Sequence, residues 1–219
     1  MGGHPQPAEA NLLSSLISDP RASETKGVAH VGEVHSLLHN ELGVSLPLHI
    51  SLSRPLVLKT EQRTPFLDHL KQAITASGVW QFTVTPEKVV WHHNEHGVRW
   101  FQVVSLQTPA KGELRKLLKG CNDCARTFGQ PLLYGAYDKR AETKRGDDPF
   151  HISIAWTLRE GNRTPASKHD PENDVGSNGH NNQWRNAFHI SFTEVKVRIG
   201  QDVTALPLGA DRTTKGLFT

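Results

Sequence analysis

A chain of 219 residues, 36% of them hydrophobic, has material for one substantial core or for two small lobes sharing one. Its net charge of +3 permits a nucleic-acid partner without arguing for one. No apolar run is long enough to cross a bilayer, and no basic stretch followed by an apolar one opens the chain, so neither a membrane partner nor a secretory leader is read.

In chain order, residues 1–27 are rich in Gly, Pro, Ser and charge around one short apolar patch, Leu12, Leu13, Leu16 and Ile17. They read as a mostly disordered segment with at most a weak helical turn. Residues 34–42 read as a short helix ended by Gly43, and 46–54 as a strand closed by Pro55. Thr64-Pro65 is a helix start, with Thr as N-cap and Pro in the first helical position. Phe66, Leu67, Leu70, Ala73 and Ile74 then share a face before Gly78.

Strand-like runs follow at 79–85, 88–92 and 98–106, the last two joined by the turn signal Asn94-Glu95-His96-Gly97. Of the 13 histidines, His92, His93, His169 and His180 sit in turn-like or polar segments and read as exposed. Residues 113–128 place Leu114, Leu117, Leu118, Cys121, Ala125 and Phe128 at helical spacing. Cys121 and Cys124 form a Cys-x-x-Cys, yet both lie on or beside that apolar stripe and no second pair completes a zinc site. Buried thiols in a reducing compartment are expected.

Residues 130–148 are a charged connection holding Tyr134 and Tyr137. A strand at 150–156 follows, then an Asn-, Gly- and Asp-rich stretch, 159–185, that reads as a mobile loop. A closing hairpin runs from 188–199 through Gly200-Gln201-Asp202 to 203–208, and 211–219 is a tail. The folded unit is expected over 28–210.

Two of these strands nearly repeat each other: Leu48-His49-Ile50-Ser51-Leu52-Ser53-Arg54 and Phe150-His151-Ile152-Ser153-Ile154-Ala155-Trp156. Side chains alternate between the faces of a strand, so His49 and Ser51 share one face and His151 and Ser153 another, opposite the aliphatic residues. A pair of imidazoles can take and give protons, and the hydroxyls can hydrogen-bond phosphate oxygens. A third match, Phe188-His189-Ile190-Ser191-Phe192, continues into a long alternating strand and reads as an ordinary strand. The order strand–helix–strands followed by helix–strand–strands is that of a duplicated α+β unit. It predicts two antiparallel sheets facing a central groove across a pseudo-twofold axis, helices outside. Neither a metal nor any other cofactor is expected.

These paired His-x-Ser strands resemble the 2H phosphoesterase superfamily. Within it, the longer phrases are similar to the U6 small nuclear RNA phosphodiesterases, which trim the 3′ end of that spliceosomal RNA. The matching phrases are His49-Ile50-Ser51-Leu52-Ser53, Asp148-Pro149-Phe150-His151-Ile152-Ser153-Ile154-Ala155-Trp156 and Val197-Arg198-Ile199-Gly200 with Leu206-Pro207-Leu208. Together they span roughly residues 45–210. The resemblance implies a monomeric, nuclear, metal-independent 3′–5′ exoribonuclease acting on the single-stranded end of U6 RNA. It implies His151 as base and His49 as acid, which the pattern alone does not assign, with Ser51 and Ser153 on the phosphate. The product would be a 2′,3′-cyclic phosphate, opened by some relatives to a 3′-phosphate. A base-stacking tyrosine is carried to Tyr134, with Tyr137 as fallback.

The chain departs from the family in showing no strand ahead of residue 34, in a longer spacing from tyrosine to His151, and in the 159–185 insertion. Three other readings remain: a different 2H enzyme such as a cyclic phosphodiesterase or a tRNA-end-processing protein, a catalytically silent RNA-binding module, and a structural α+β protein.

Overall fold

The computed structural model of the protein describes residues 2–19, 33–94, 97–107, 109–135, 149–158, 184–185 and 189–209. Strand β1 (Gly2–Gly3) leads into helix α1 (Pro7–Ser18), then β2 (His35–Ser36) and β3 (Leu48–His49). A 3-10 turn (Thr60–Gln62) precedes α2 (Arg63–Ala76), which is followed by β4 (Phe82–Val84), β5 (Pro86–His93), β6 (Arg99–Leu106) and α3 (Glu113–Thr127). Strands β7 (His151–Leu158), β8 (Ile190–Phe192), β9 (Glu194–Ile199) and β10 (Asp202–Pro207) complete the order.

All the ladders are antiparallel. One four-stranded sheet runs β2-β7-β6-β5, and three two-stranded ladders pair β1 with β3, β4 with β8 and β9 with β10. This is a mixed α+β fold. Its sheets do not follow the halves of the sequence: β7 joins strands from the first half, and β8 returns to β4.

The opening segment is the largest correction. Residues 7–18 form a helix rather than a disordered tail. Pro7 stands at its first position, and Glu9 turns back to accept the Gln6 backbone N–H at 2.8 Å. Leu13 and Leu16 are buried in the core, and buried Gln102 donates to the Leu16 carbonyl at 3.2 Å. The apolar patch was visible, but its partner, the inner face of β6 and β7, lies far away in sequence. Ahead of α1, β1 also supplies a strand that was not expected before residue 34.

Residues 34–42 form no helix. They contribute β2, a His39–Ser45 bridge and a turn in which Asn40 Oδ1 accepts from Leu42 and Val44. Gly43, at φ 76°, serves that turn. The strand expected over 46–54 pairs only at Leu48–His49. Helix α2 begins at Arg63, with Gln62 as N-cap, because the preceding 3-10 turn already supplies its entry; Thr64 lies inside it. The run at 79–85 is reduced to β4, and the single long strand expected over 188–199 is two strands broken at Thr193 and shared between two ladders.

Other expectations match. The 94–97 turn is closed by Asn94 Oδ1 accepting from Val98 and Arg99. Helix α3 buries Leu114, Leu117, Leu118, Cys121, Cys124 and Ala125. It packs on α2, where Gly120 lets the backbones approach: a Cβ there would lie 3.4 Å from the Ala73 carbonyl. Both thiols are free and buried; burial pushes Cys121 up to about 12 and Cys124 up to about 11. Among the described residues no helix is long and apolar enough to cross a membrane.

Candidate active site

His151 opens β7, paired with Ser105 of β6. Alternation sends Ile152 into the core and leaves His151 and Ser153 half-buried on the other face. A bulge opposite Val103 then adds a residue, so Ile154 and Ala155 are both buried and Trp156 returns to the face of His151. The His151 Nδ1 lies 2.8 Å from the Pro149 carbonyl, which can only accept. Nδ1 therefore carries the proton and donates, and Nε2 of the neutral ring keeps its lone pair. Burial lowers the affinity of His151 for a second proton, opposed by that same hydrogen bond.

His49 ends β3, which pairs with β1 and lies against β7. The alternation predicted for this segment holds beyond the paired residues: His49, Ser51 and Ser53 are exposed while Ile50 and Leu52 are buried. Burial of the ring lowers the His49 pKa, nearby positive charge including His151 acts the same way, and a hydrogen bond to the Pro47 backbone opposes both. A proline stands two residues before each imidazole. The repeat is therefore longer than the one used in the sequence reading: Pro47-Leu48-His49-Ile50-Ser51 matches Pro149-Phe150-His151-Ile152-Ser153, whereas the third copy has Ala187 in the proline's position.

Tyr134 sits behind His151. Its hydroxyl donates to the same Pro149 carbonyl at 3.1 Å, and its ring meets Phe150 edge-on at 6.3 Å. It is half-buried with φ 53°, and burial pushes its hydroxyl up to about 12. Tyr137 lies outside the described residues, as do His169 and His180 and most of the 159–185 stretch.

The sequence reading missed His92. The residue is exposed as expected, but its ring is partly desolvated and stands 5.9 Å from the His151 ring, centroid to centroid. Burial lowers its pKa, and the charge of His151 adds to that. The two residues lie on strands that flank β6 on either side, a placement to which no local pattern points.

Two cavities meet at His49. One of about 500 Å³ mixes apolar residues such as Leu58, Phe66 and Leu70 with Ser51, Ser53, Arg54, Arg63, Lys196 and Arg198. The other, about 290 Å³, is walled by the apolar side of β7 together with His4 and His189. His189 Nδ1 lies 3.3 Å from the Thr85 hydroxyl and Ser191 lies 3.3 Å from that of Thr83, so the third motif is engaged in the β4–β8 ladder. Among the described residues no group of three or more His, Cys, Asp or Glu side chains could hold a metal ion.

Comparison with known proteins gives three findings. A family model described as "HVSL: Uncharacterised conserved protein" matches residues 2–207. U6 snRNA phosphodiesterase 1 of Neurospora crassa is 31% identical over 171 residues, covering 70% of this chain and 45% of the relative, so the chain spans under half of that protein. The structure of Kluyveromyces marxianus Usb1 superposes with a TM-score of 0.65 at 16% identity, and its form with uridine monophosphate with 0.61 at 17%, each over 95% of both chains.

Proposed function

Since this chain belongs to the HVSL family, we propose that it is a metal-independent 3′–5′ RNA phosphodiesterase that trims the oligouridine end of U6 small nuclear RNA. The observation that carries the chemistry is His151 held as the Nδ1–H tautomer by Pro149, on a strand packed against the one that ends in His49. The likeness to a U6 snRNA phosphodiesterase supports the substrate.

In this reading His151 Nε2 takes the proton of the 2′-hydroxyl. The 2′-oxygen attacks phosphorus, and the bond to the departing 5′-oxygen breaks as His49 protonates it. The products are a 2′,3′-cyclic phosphate on the shortened RNA and a released unit with a 5′-hydroxyl, a nucleoside in the first round and a nucleoside cyclic phosphate in later ones. Ser51 and Ser153 donate to the non-bridging oxygens as charge builds there. The lowered pKa of His151 favours the neutral ring that a base needs. The two motifs face each other across the groove of a two-lobed 2H fold, and residues 2–19 belong to its body. The reading takes the protein to be nuclear and monomeric. Tyr134 is carried as the base-stacking residue, with its anchored hydroxyl fixing the ring.

The test is an RNA ending in oligouridine, incubated with the protein in excess EDTA, with the new 3′ ends identified by mass spectrometry. Stepwise shortening to cyclic-phosphate ends is expected. A 2′-deoxy sugar on the 5′ side of the scissile phosphate should block it. Loss of activity restored by magnesium, or undiminished cleavage of the deoxy substrate, would overturn the mechanism.

A further inference from the structure

The four-stranded sheet carries a row of rings that the two-histidine chemistry does not use. His92 of β5 is registered with Phe101 of β6, Phe101 with Trp156 of β7, and Trp156 with His35 of β2. Every strand of the sheet thus presents one ring at the same level. Paired residues share a face, and this face is that of His151 and Ser153.

The row is tightly organised. His35 stacks on Trp156 at 4.3 Å with the ring planes 24° apart. From the neighbouring strand β6, the guanidinium of Arg99 lies 4.4 Å from the Trp156 ring centroid. Arg99 and His92 are exposed, and His35, Phe101 and Trp156 are half-buried. Rings in register on a sheet ordinarily face a core; these stay partly open to solvent, with Lys88 and Arg99 on the same face. Among the described residues registered on it, none is acidic.

We propose that this row is a stacking platform for single-stranded RNA on the 5′ side of the cleaved phosphate. The inference rests on the nuclease reading and extends it. Two features select RNA as the occupant. The platform is continuous with the candidate catalytic centre through the 5.9 Å contact between His92 and His151. It also combines planar rings with cations, the pairing that holds successive bases and the phosphates between them without reading sequence. The distance along β7 from His151 to Trp156 is roughly 13–16 Å by the rise of a strand, a span of a few extended nucleotides. A base adds to the stack against the guanidinium plane of Arg99 or the outer face of His35. The retained strand is thereby held while its end is cut, which favours repeated rounds on one RNA.

The test measures binding of 5′-labelled oligo(2′-deoxyuridine) probes, which cannot supply the nucleophile, by fluorescence anisotropy. Lengths from two to eight nucleotides are compared for wild type, Arg99→Gln, Trp156→Ala and Trp156→Phe, with circular dichroism to confirm folding. Wild type should gain affinity with length. Arg99→Gln should weaken the longest probe about tenfold, in keeping with the loss of one stacked base, and flatten the length dependence. Trp156→Phe should keep most of the gain that Trp156→Ala loses. A length dependence absent from wild type, or untouched in Arg99→Gln, would overturn the platform and leave the nuclease reading standing. Length-dependent binding lost in the variants of a protein that cleaves no RNA would sink the nuclease reading and leave the platform standing.

Discussion

Three histidines stand in His-x-Ser motifs, and replacing each by alanine separates a paired acid and base from a strand residue. For His151→Ala the structural cost is small. The variant loses one hydrogen bond to the Pro149 carbonyl, about 1 kcal/mol, and that carbonyl keeps its bond from Tyr134, so no orphaned acceptor is created. His49 is exposed, and its removal uncovers little apolar surface. Both variants should therefore fold and bind RNA. Their chemistry should suffer far more, since loss of a positioned acid or base costs roughly 10²–10⁴-fold in rate. The double variant should be scarcely slower than either single one, because groups acting as a unit are not additive. His189 contributes a long, exposed contact to Thr85, so His189→Ala should stay within about 0.5 kcal/mol in stability and within a few-fold in rate. The assay is single-turnover cleavage of a labelled single strand by all four variants, with urea unfolding alongside. A folded His189→Ala as inactive as the other two would refute the pairing, and its position in the wall of a cavity shared with His49 makes the control a demanding one.

Tyr134→Phe keeps the ring and removes the hydroxyl bonded to Pro149, so it should cost about 1 kcal/mol in thermal or urea unfolding. If the ring stacks on a base, activity should survive in Tyr134→Phe and fall in Tyr134→Ala; equal activity in both would remove Tyr134 from the binding site. His49, His92 and His151 all have pKa values lowered by burial from 6.5, so the unfolded chain binds protons first. Their contribution to stability is complete above pH 6.5 and lost as pH falls through their folded-state values; flat stability across that acid window would contradict the burial. Leu13→Ala should destabilise by about 2–4 kcal/mol in urea, because the side chain is 3% exposed and anchors α1; a loss below about 0.5 kcal/mol would mean α1 does not belong to the core.

Local order was legible in the sequence. The alternation through His49–Leu52 and His151–Ile154, the stripe of α3 and the Asn94–Gly97 turn each depend on neighbours within a few residues. Periodicity and turn chemistry report directly on such neighbours. The paired motifs were legible for the same reason, and the prolines at 47 and 149 would have separated them from the third copy had their carbonyls been considered. What was not legible depends on partners distant in the chain. Residues 7–18 are polar enough to read as disordered until β6 and β7 cover Leu13 and Leu16. Residues 34–42 satisfy a helical pattern until β7 offers its edge to His35 and Ser36. The contact of His92 with His151 and the ring row from His92 to His35 come from strand order and register. Register between strands is set by the whole core, so only the tertiary structure decides which side chains on one face become neighbours.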